Sequence, residues 1–175
     1  MVEITLPIIL QIVQTVALVV GIIYYLTIMR NQQRTRELTL KAQEHATETR
    51  QAQLFMQIYD KWSDPDFLEA WYLIIEAEFE TYEEMNKLRE NEKYLRAWGT
   101  IVGFYEGVGV LVKEGLIDIR LVALLMTGTT TLFWRKMEPF IDEIRRRAYP
   151  RAYIETEYLY NALMDYIKEH PEIEI

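Results

Sequence analysis

The sequence predicts an all-α protein in which an N-terminal transmembrane helix continues into a helical stalk and then a compact cytosolic bundle of about four helices. Two observations predict this fold class. The run from Ile4 to Met29 contains no charged side chain, and a helix of that length can cross a hydrocarbon core of about 30 Å. The rest of the chain has apolar residues at helical spacing, separated by proline and glycine. We assign an anchor to residues 1–29, a stalk to 30–53, a cytosolic domain to 54–170 and a tail to 171–175.

The charges that flank the apolar run predict its orientation. The run is followed by four cations, Arg30, Arg34, Arg36 and Lys41, and is preceded only by Glu3. Because positively charged flanks stay in the cytoplasm, we expect a single-pass protein of the cell membrane with its N-terminus outside and its C-terminal domain in the cytoplasm. A cleaved signal peptide would need a positive n-region and a shorter apolar run, so we expect the anchor to be retained.

Three polar side chains share one face of the apolar run through their helical spacing: Gln11, Gln14 and Thr15. Amide groups in hydrocarbon lose their water partners, so they hydrogen-bond across helices or line a wet cavity. This face predicts self-association in the membrane. The alternatives are a conducting pore with the amides in its lumen, or a position near enough to the outer interface for water to reach them.

The stalk contains good helix formers and neither glycine nor proline, which predicts that the helix continues from the anchor. Its heptad seam is too polar for a strong coiled coil. A helix that is polar nearly all round crosses solvent or contacts partners, so we expect the stalk to project the cytosolic domain from the membrane.

Helix boundaries in the cytosolic domain are marked by capping residues, proline and glycine. Ser63-Asp64-Pro65 predicts that one helix ends there and another begins, and Gly115 followed by Asp118 predicts a second such boundary. We expect Pro139 to kink or restart the helix that it interrupts. A final amphipathic helix is predicted over residues 152–169.

A bare stripe is predicted on the helix that spans Lys93 to Lys113, because glycine recurs there at Gly99, Gly103 and Gly107. Each glycine inside a helix costs about 1 kcal/mol relative to alanine. Three in register therefore suggest that another backbone, or a ligand, approaches closely. We expect close helix packing to be the reason.

Glu106 lies among apolar neighbours on the same segment and is the one candidate for a catalytic carboxylate. A buried carboxylate needs a partner, and we expect an internal Arg or Tyr. The chain has no cysteine, one serine and two histidines, so a Ser–His or Cys–His hydrolase has almost nothing to be built from. We predict a protein that is not an enzyme and uses no cofactor.

Carboxylates are concentrated between residues 76 and 84, at the end of a helix predicted over about residues 66–79. Their spacing does not match an EF-hand loop. We therefore predict a solvated acidic turn and no metal site.

Cations are concentrated in the second half of the helix that is predicted to begin after Asp118, and just beyond it. They are Arg135, Lys136, Arg145, Arg146, Arg147 and Arg151. They predict contact with phosphate groups or an acidic partner, the alternative being that they stabilise the helix end through its dipole. The whole chain has 19 basic and 27 acidic residues, which argues against nucleic-acid binding because that needs clustered positive charge.

Several motifs carry a resemblance to a known family: the tryptophan-led segment Trp98–Asp118 with its FYEGVGVLVKEGLID core, then Leu132-Phe133-Trp134, Pro139 and Arg145. In these motifs the chain resembles a family of prokaryotic proteins described only as a domain of unknown function. The resemblance covers nearly the whole chain. It implies one N-terminal span followed by an all-helical cytosolic domain, and it implies no catalytic residue.

These features predict a membrane-anchored helical scaffold, adaptor or accessory subunit that acts through self-association or partner docking. An oligomeric channel or a membrane-acting defence effector is the alternative. The expected partners are the lipid bilayer and either further copies of the chain or other subunits of a membrane complex.

Overall fold

The computed structural model describes residues 6–173, which form six α-helices and no β-strand. This confirms the all-α class. The helices are α1 (Leu6–Trp62), α2 (Pro65–Glu76), α3 (Tyr82–Leu88), α4 (Glu92–Lys113), α5 (Ile119–Arg147) and α6 (Ile154–Glu169). Residues 1–5 of the predicted anchor and residues 174–175 of the predicted tail lie outside the described range.

The chain divides into two compact units, one up to Thr49 and one from Arg50 onward. The first consists of the N-terminal part of α1, whose described side chains are exposed apart from the half-buried Ile28. Helix α1 is uninterrupted from Leu6 to Trp62, which confirms that the helix of the apolar run continues through the stalk. After Pro7 no proline occurs in α1, and the stalk contains no glycine, which explains this continuity.

In the second unit, local sequence specifies where helices begin. Asp64 caps α2 by accepting hydrogen bonds from the backbone N–H groups of Asp66 and Phe67 at 2.9 and 3.2 Å, and Pro65 occupies the first turn. Asp118 caps α5 in the same way. Both predicted restarts are confirmed.

Helix α4 ends at a glycine, as predicted. Gly115 has a φ of 65°, in the left-handed region that favours glycine. Its N–H donates to the carbonyl of Val112 at 3.0 Å, and the N–H of Leu116 donates to that of Leu111 at 2.9 Å. These two bonds satisfy carbonyls that the end of a helix leaves unpaired.

Helix α3 was not predicted. The helix predicted to about residue 79 is α2 and ends three residues earlier, at Glu76, and the acidic stretch predicted as a turn up to residue 84 includes the start of α3 at Tyr82. A capping box starts α3: Thr81 accepts from the N–H of Glu84 at 3.2 Å, and the Glu84 carboxylate accepts from the N–H of Thr81 at 3.3 Å. The N–H of Glu80 also donates to this carboxylate and lowers the pKa of Glu84.

Helix α5 departs from regular geometry at an unexpected position. The helix continues through Pro139, and only Met126 has non-helical dihedrals, with φ −137° and ψ 17°. The predicted restart at Pro139 is therefore wrong. Proline removes the N–H that would reach the carbonyl of Arg135, but both residues are exposed, so water can hydrate that carbonyl.

Helix α4 is at the centre of the second unit, where it packs against α2 and α6, and α6 also packs against α5. Two buried indole-to-phenol hydrogen bonds link these elements, from Trp71 to Tyr105 at 3.1 Å and from Trp98 to Tyr153 at 2.7 Å. The ring of Tyr105 stacks on Phe133 with 4.8 Å between centroids. Burial raises the pKa of Tyr105 and of Tyr153 to about 12.

Candidate functional site

The candidate site is built on the two faces of α4. On the outer face, Gly99, Gly103 and Gly107 are exposed; we call them the glycine stripe. A Cβ added at any of them would meet no atom of another helix or loop within 4 Å. Within residues 6–173 no second backbone therefore packs closely on them, and close helix packing at these glycines stays a prediction.

The close approach is at Gly109, on the buried face. A Cβ at Gly109 would lie 2.1 Å from the carbonyl oxygen of Glu155 and 2.6 Å from its carbonyl carbon. Those separations are far inside van der Waals contact, so a side chain there would displace the backbone. Gly109 thus lets the first turn of α6 lie directly against α4.

Glu106 caps α6 from α4. Its Oε1 accepts a hydrogen bond from the backbone N–H of Thr156 at 2.8 Å and another from Thr156 Oγ1 at 2.7 Å. Helix α6 has no side-chain cap of its own, because its N-cap residue is Tyr153, which is not one of the short polar residues that cap helices. A carboxylate at this position pairs with an otherwise unsatisfied N–H and interacts favourably with the helix dipole. The prediction of an Arg or Tyr partner for Glu106 is wrong, because the partner is Thr156. The geometry explains Glu106 as a structural residue.

An ion pair lies beside this cap. Lys113 Nζ donates to both carboxylate oxygens of Glu155, at 2.9 and 3.1 Å. The Glu155 side chain is 15% exposed and that of Lys113 is 43% exposed. Solvent therefore screens the pair in part, and it contributes less than the neighbouring cap. We call the contacts at Glu106, Gly109 and Lys113 the α4–α6 junction.

A groove lies beside the glycine stripe, between the end of α1 and α4, within the second unit. Its volume is about 230 Å³, and its lining is mostly apolar. The residues that line it include Leu54, Ile58, Lys61, Gly103, Phe104, Gly107 and Leu111. The stripe and the groove together leave the backbone of α4 accessible to another molecule.

Lys136 contacts the end of α2. Its Nζ donates to the carbonyl oxygens of Ile75 and Ala77 at 2.9 and 2.6 Å, and it lies 4.8 Å from the centroid of the Phe79 ring. A cation is favourable there because carbonyls at a helix C-terminus lack partners. Burial lowers the pKa of Lys136. This amine is therefore occupied within the fold and does not form the predicted contact with an outside anion.

The other predicted cations do not converge on one site. Arg145 donates to the carbonyl of Ala152 at 2.9 Å and to Glu157 at 2.6 Å, which fixes the turn between α5 and α6. By contrast, Arg135 and Arg151 are exposed and have no ion pair within residues 6–173. These two remain accessible to an acidic partner.

Arg146 and Arg147 both pair with carboxylates. Arg146 contacts Glu143 at 2.8 Å, whereas Arg147 contacts Glu143 and, at 2.7 Å, Glu83 of α3. These pairs are largely exposed, so each contributes little to stability. The contact with Glu83 nevertheless uses part of the acidic stretch, and no three His, Asp or Glu side chains between Leu6 and Ile173 are grouped so that they could hold a metal ion.

The polar face of α1 lies in the first unit. Gln11, Gln14 and Thr15 are exposed there, and Thr15 Oγ1 donates to the carbonyl of Gln11 at 2.8 Å. The hydroxyl is thus satisfied inside the helix, as is common for threonine among apolar neighbours. Helix α1 is the one helix in the described part of the chain that is long and apolar enough to cross a membrane.

Residues 11–163 match the model of a domain of unknown function, DUF4760. The chain belongs to the DUF4760 family. The match extends from α1 into α6, so the DUF4760 region contains the glycine stripe and the whole α4–α6 junction. The resemblance to a family of unknown function is confirmed at that level. No curated protein and no solved structure matches the chain.

The α4–α6 junction of this DUF4760 protein was not predicted as a set. Glu106 and its partner Thr156 are 50 positions apart, and no local pattern links residues at that distance. Gly109 falls outside the four-residue repeat that singled out the stripe. One feature of the sequence does indicate that α6 needs a cap from elsewhere in the fold: no Ser, Thr, Asp or Asn directly precedes Ile154.

Proposed function

We propose that this DUF4760 protein is a single-pass membrane protein whose helical domain serves as a scaffold, adaptor or accessory subunit through self-association or partner docking. The observation that carries the proposal is the exposure of the apolar part of α1. No residue from Leu6 to Met29 is buried, and more than a dozen large apolar side chains there are exposed. Removing one such side chain from water is worth about 1.5–3 kcal/mol, so lipid would stabilise this segment by an amount on the order of tens of kcal/mol.

The orientation that we propose places the second unit in the cytoplasm. Arg30, Arg34 and Arg36 directly follow the apolar segment, and cytoplasmic flanks are the ones that carry such cations. Tyr24 and Tyr25 lie close to the same end of the segment, where amphipathic rings favour the membrane interface.

Self-association or docking through α4 is supported by the glycine stripe. Three exposed helical glycines together cost about 3 kcal/mol relative to alanine, and a Cβ added at any of them would meet no atom of another helix or loop within 4 Å. A helix of a second copy or of a partner could approach this bare backbone closely and use the adjoining groove. We assign no catalytic role to Glu106, because its carboxylate caps α6.

An oligomeric channel or membrane-acting effector is the second candidate. It is favoured by the exposed amides of Gln11 and Gln14 within an otherwise apolar helix, because in an oligomer they could face a lumen. Conductance of vesicles reconstituted with the full chain tests it. Conductance equal to that of empty vesicles would remove this candidate.

The intact mass of the complex in mild detergent tests the main proposal. We expect a dimer or larger assembly, or a stoichiometric partner recovered with the chain. A matched pair of variants locates the contact: Gly103→Leu should weaken the assembly, whereas Asn161→Leu, which adds the same side chain on the exposed side of α6, should not. A strict monomer without a partner would contradict the proposal.

A further inference from the structure

The first seven residues after the apolar segment contain only cations and uncharged polar residues. They read Arg30, Asn31, Gln32, Gln33, Arg34, Thr35 and Arg36. All seven side chains are exposed. The first acidic residue after the apolar segment is Glu37, and it pairs with Lys41 at 2.9 Å. Within residues 6–173 the three arginines have no ion pair, so their charges are available to an outside anion.

These arginines lie within about two turns of one another on α1. We call Arg30, Arg34 and Arg36 the arginine collar. Arg30 and Arg34 are one turn apart on one face, and Arg36 lies on a different side of the helix. At about 1.5 Å per residue, Arg30 and Arg36 are about 9 Å apart along the axis. A headgroup layer is about 5–8 Å thick on each side of a 30 Å hydrocarbon core.

The apolar segment fixes where this collar would lie. From Leu6 to Met29 the helix is about 35 Å long, enough for the hydrocarbon core with slight tilt. The collar then begins at the edge of the hydrocarbon core, where long arginine side chains can reach the lipid phosphates. Guanidinium groups bind phosphate oxygens in a two-pronged geometry, and the neighbouring asparagine and glutamine amides add donors.

We propose that the arginine collar is a binding site for the headgroups of anionic phospholipids. This inference rests on the proposed membrane insertion and adds the class of lipid. Zwitterionic lipids also carry a phosphate, but their own cation neutralises it, whereas an anionic lipid leaves a net negative charge for the collar. Each arginine near the surface favours the anionic lipid by about fivefold, so the collar should select it at least about tenfold.

The full chain in mild detergent, mixed with equal amounts of phosphatidylglycerol and phosphatidylcholine, tests this site by the lipids retained in native mass spectrometry. We expect at least about tenfold more retained phosphatidylglycerol. The triple variant Arg30→Gln/Arg34→Gln/Arg36→Gln should retain the two lipids almost equally. The triple variant Lys87→Gln/Arg96→Gln/Arg120→Gln changes three exposed cations of the second unit and should keep the preference.

Two results would overturn the inference: equal retention of both lipids by the unchanged chain, or an unchanged preference in the collar variant. Flotation of the unchanged chain with vesicles separates this failure from that of the proposed function. If the chain floats but shows no lipid preference, only the inference of the collar site is contradicted. If the chain does not float, the proposed membrane insertion itself is contradicted.

Discussion

Replacing Gly109 by alanine should destabilise the second unit, although alanine is the better helix former. The added Cβ would lie 2.1 Å from the carbonyl oxygen of Glu155, more than 1 Å inside an ordinary contact of about 3.5 Å. Helix α6 must therefore move, and overpacking of this kind costs about 1–3 kcal/mol. The movement also weakens the cap that Glu106 provides, worth about 1 kcal/mol. Against these costs stands a gain of at most about 1 kcal/mol in helix propensity.

We expect a net loss of about 1–3 kcal/mol in the free energy of unfolding, measured by urea denaturation of the full chain in mild detergent with tryptophan fluorescence. Trp71 and Trp98 lie in the core and report on it. Gly103→Ala is the matched control, because its Cβ meets nothing within 4 Å, and it should stabilise the unit by about 0.5–1 kcal/mol. Equal effects of the two substitutions, or a stabilised Gly109→Ala variant, would refute the α4–α6 packing.

Three further predictions concern polar groups that are wholly or partly buried, and urea denaturation measures each. Glu106→Ala should lower the free energy of unfolding by about 1–2 kcal/mol, because it removes the cap of α6. The control Glu114→Ala, at an exposed position, should change it by less than about 0.5 kcal/mol. Similar values for the two variants would contradict the cap. Lys136→Met should cost about 1–3 kcal/mol because two carbonyls at the end of α2 lose their donor, and an unchanged midpoint would count against that contact. Burial raises the pKa of Tyr105 and of Tyr153 to about 12, so above about pH 10 the unfolded chain loses these protons first. Stability should therefore fall by about 2.7 kcal/mol per pH unit for the pair between pH 10 and 12, and a variant with both tyrosines changed to phenylalanine should lack this component.

The fold could be predicted where one short segment specifies an element. Asp64 followed by Pro65 starts α2, and Gly115 ends α4, because capping and left-handed geometry depend on a few adjacent residues. Prediction was wrong at Pro139, where helix continuity depends on whether water can reach one carbonyl. It also missed the irregular backbone at Met126, which no proline or glycine marks at that position.

The candidate site was less predictable because its contacts are tertiary. The repeat at Gly99, Gly103 and Gly107 correctly marks a bare backbone, but a repeat does not tell which face a second helix covers. Gly109, two residues after the last glycine of that repeat and on the buried face, is the glycine that packing requires. The six cations could be recognised as a group in sequence, yet internal partners such as Glu157 and the carbonyl of Ala77 separate them in space.

The central claim is that the apolar part of α1 is embedded in lipid, and flotation of the full chain with vesicles after an alkaline wash tests it most directly. We predict that the chain floats with the vesicles and that its mass, measured from the floated fraction, still includes the residues up to Met29. A variant that lacks residues 6–29 should remain in the bottom fraction, because it has none of the exposed apolar side chains that lipid would stabilise. An unchanged chain that stays in the bottom fraction, or a floated species that lacks those residues, would contradict the claim.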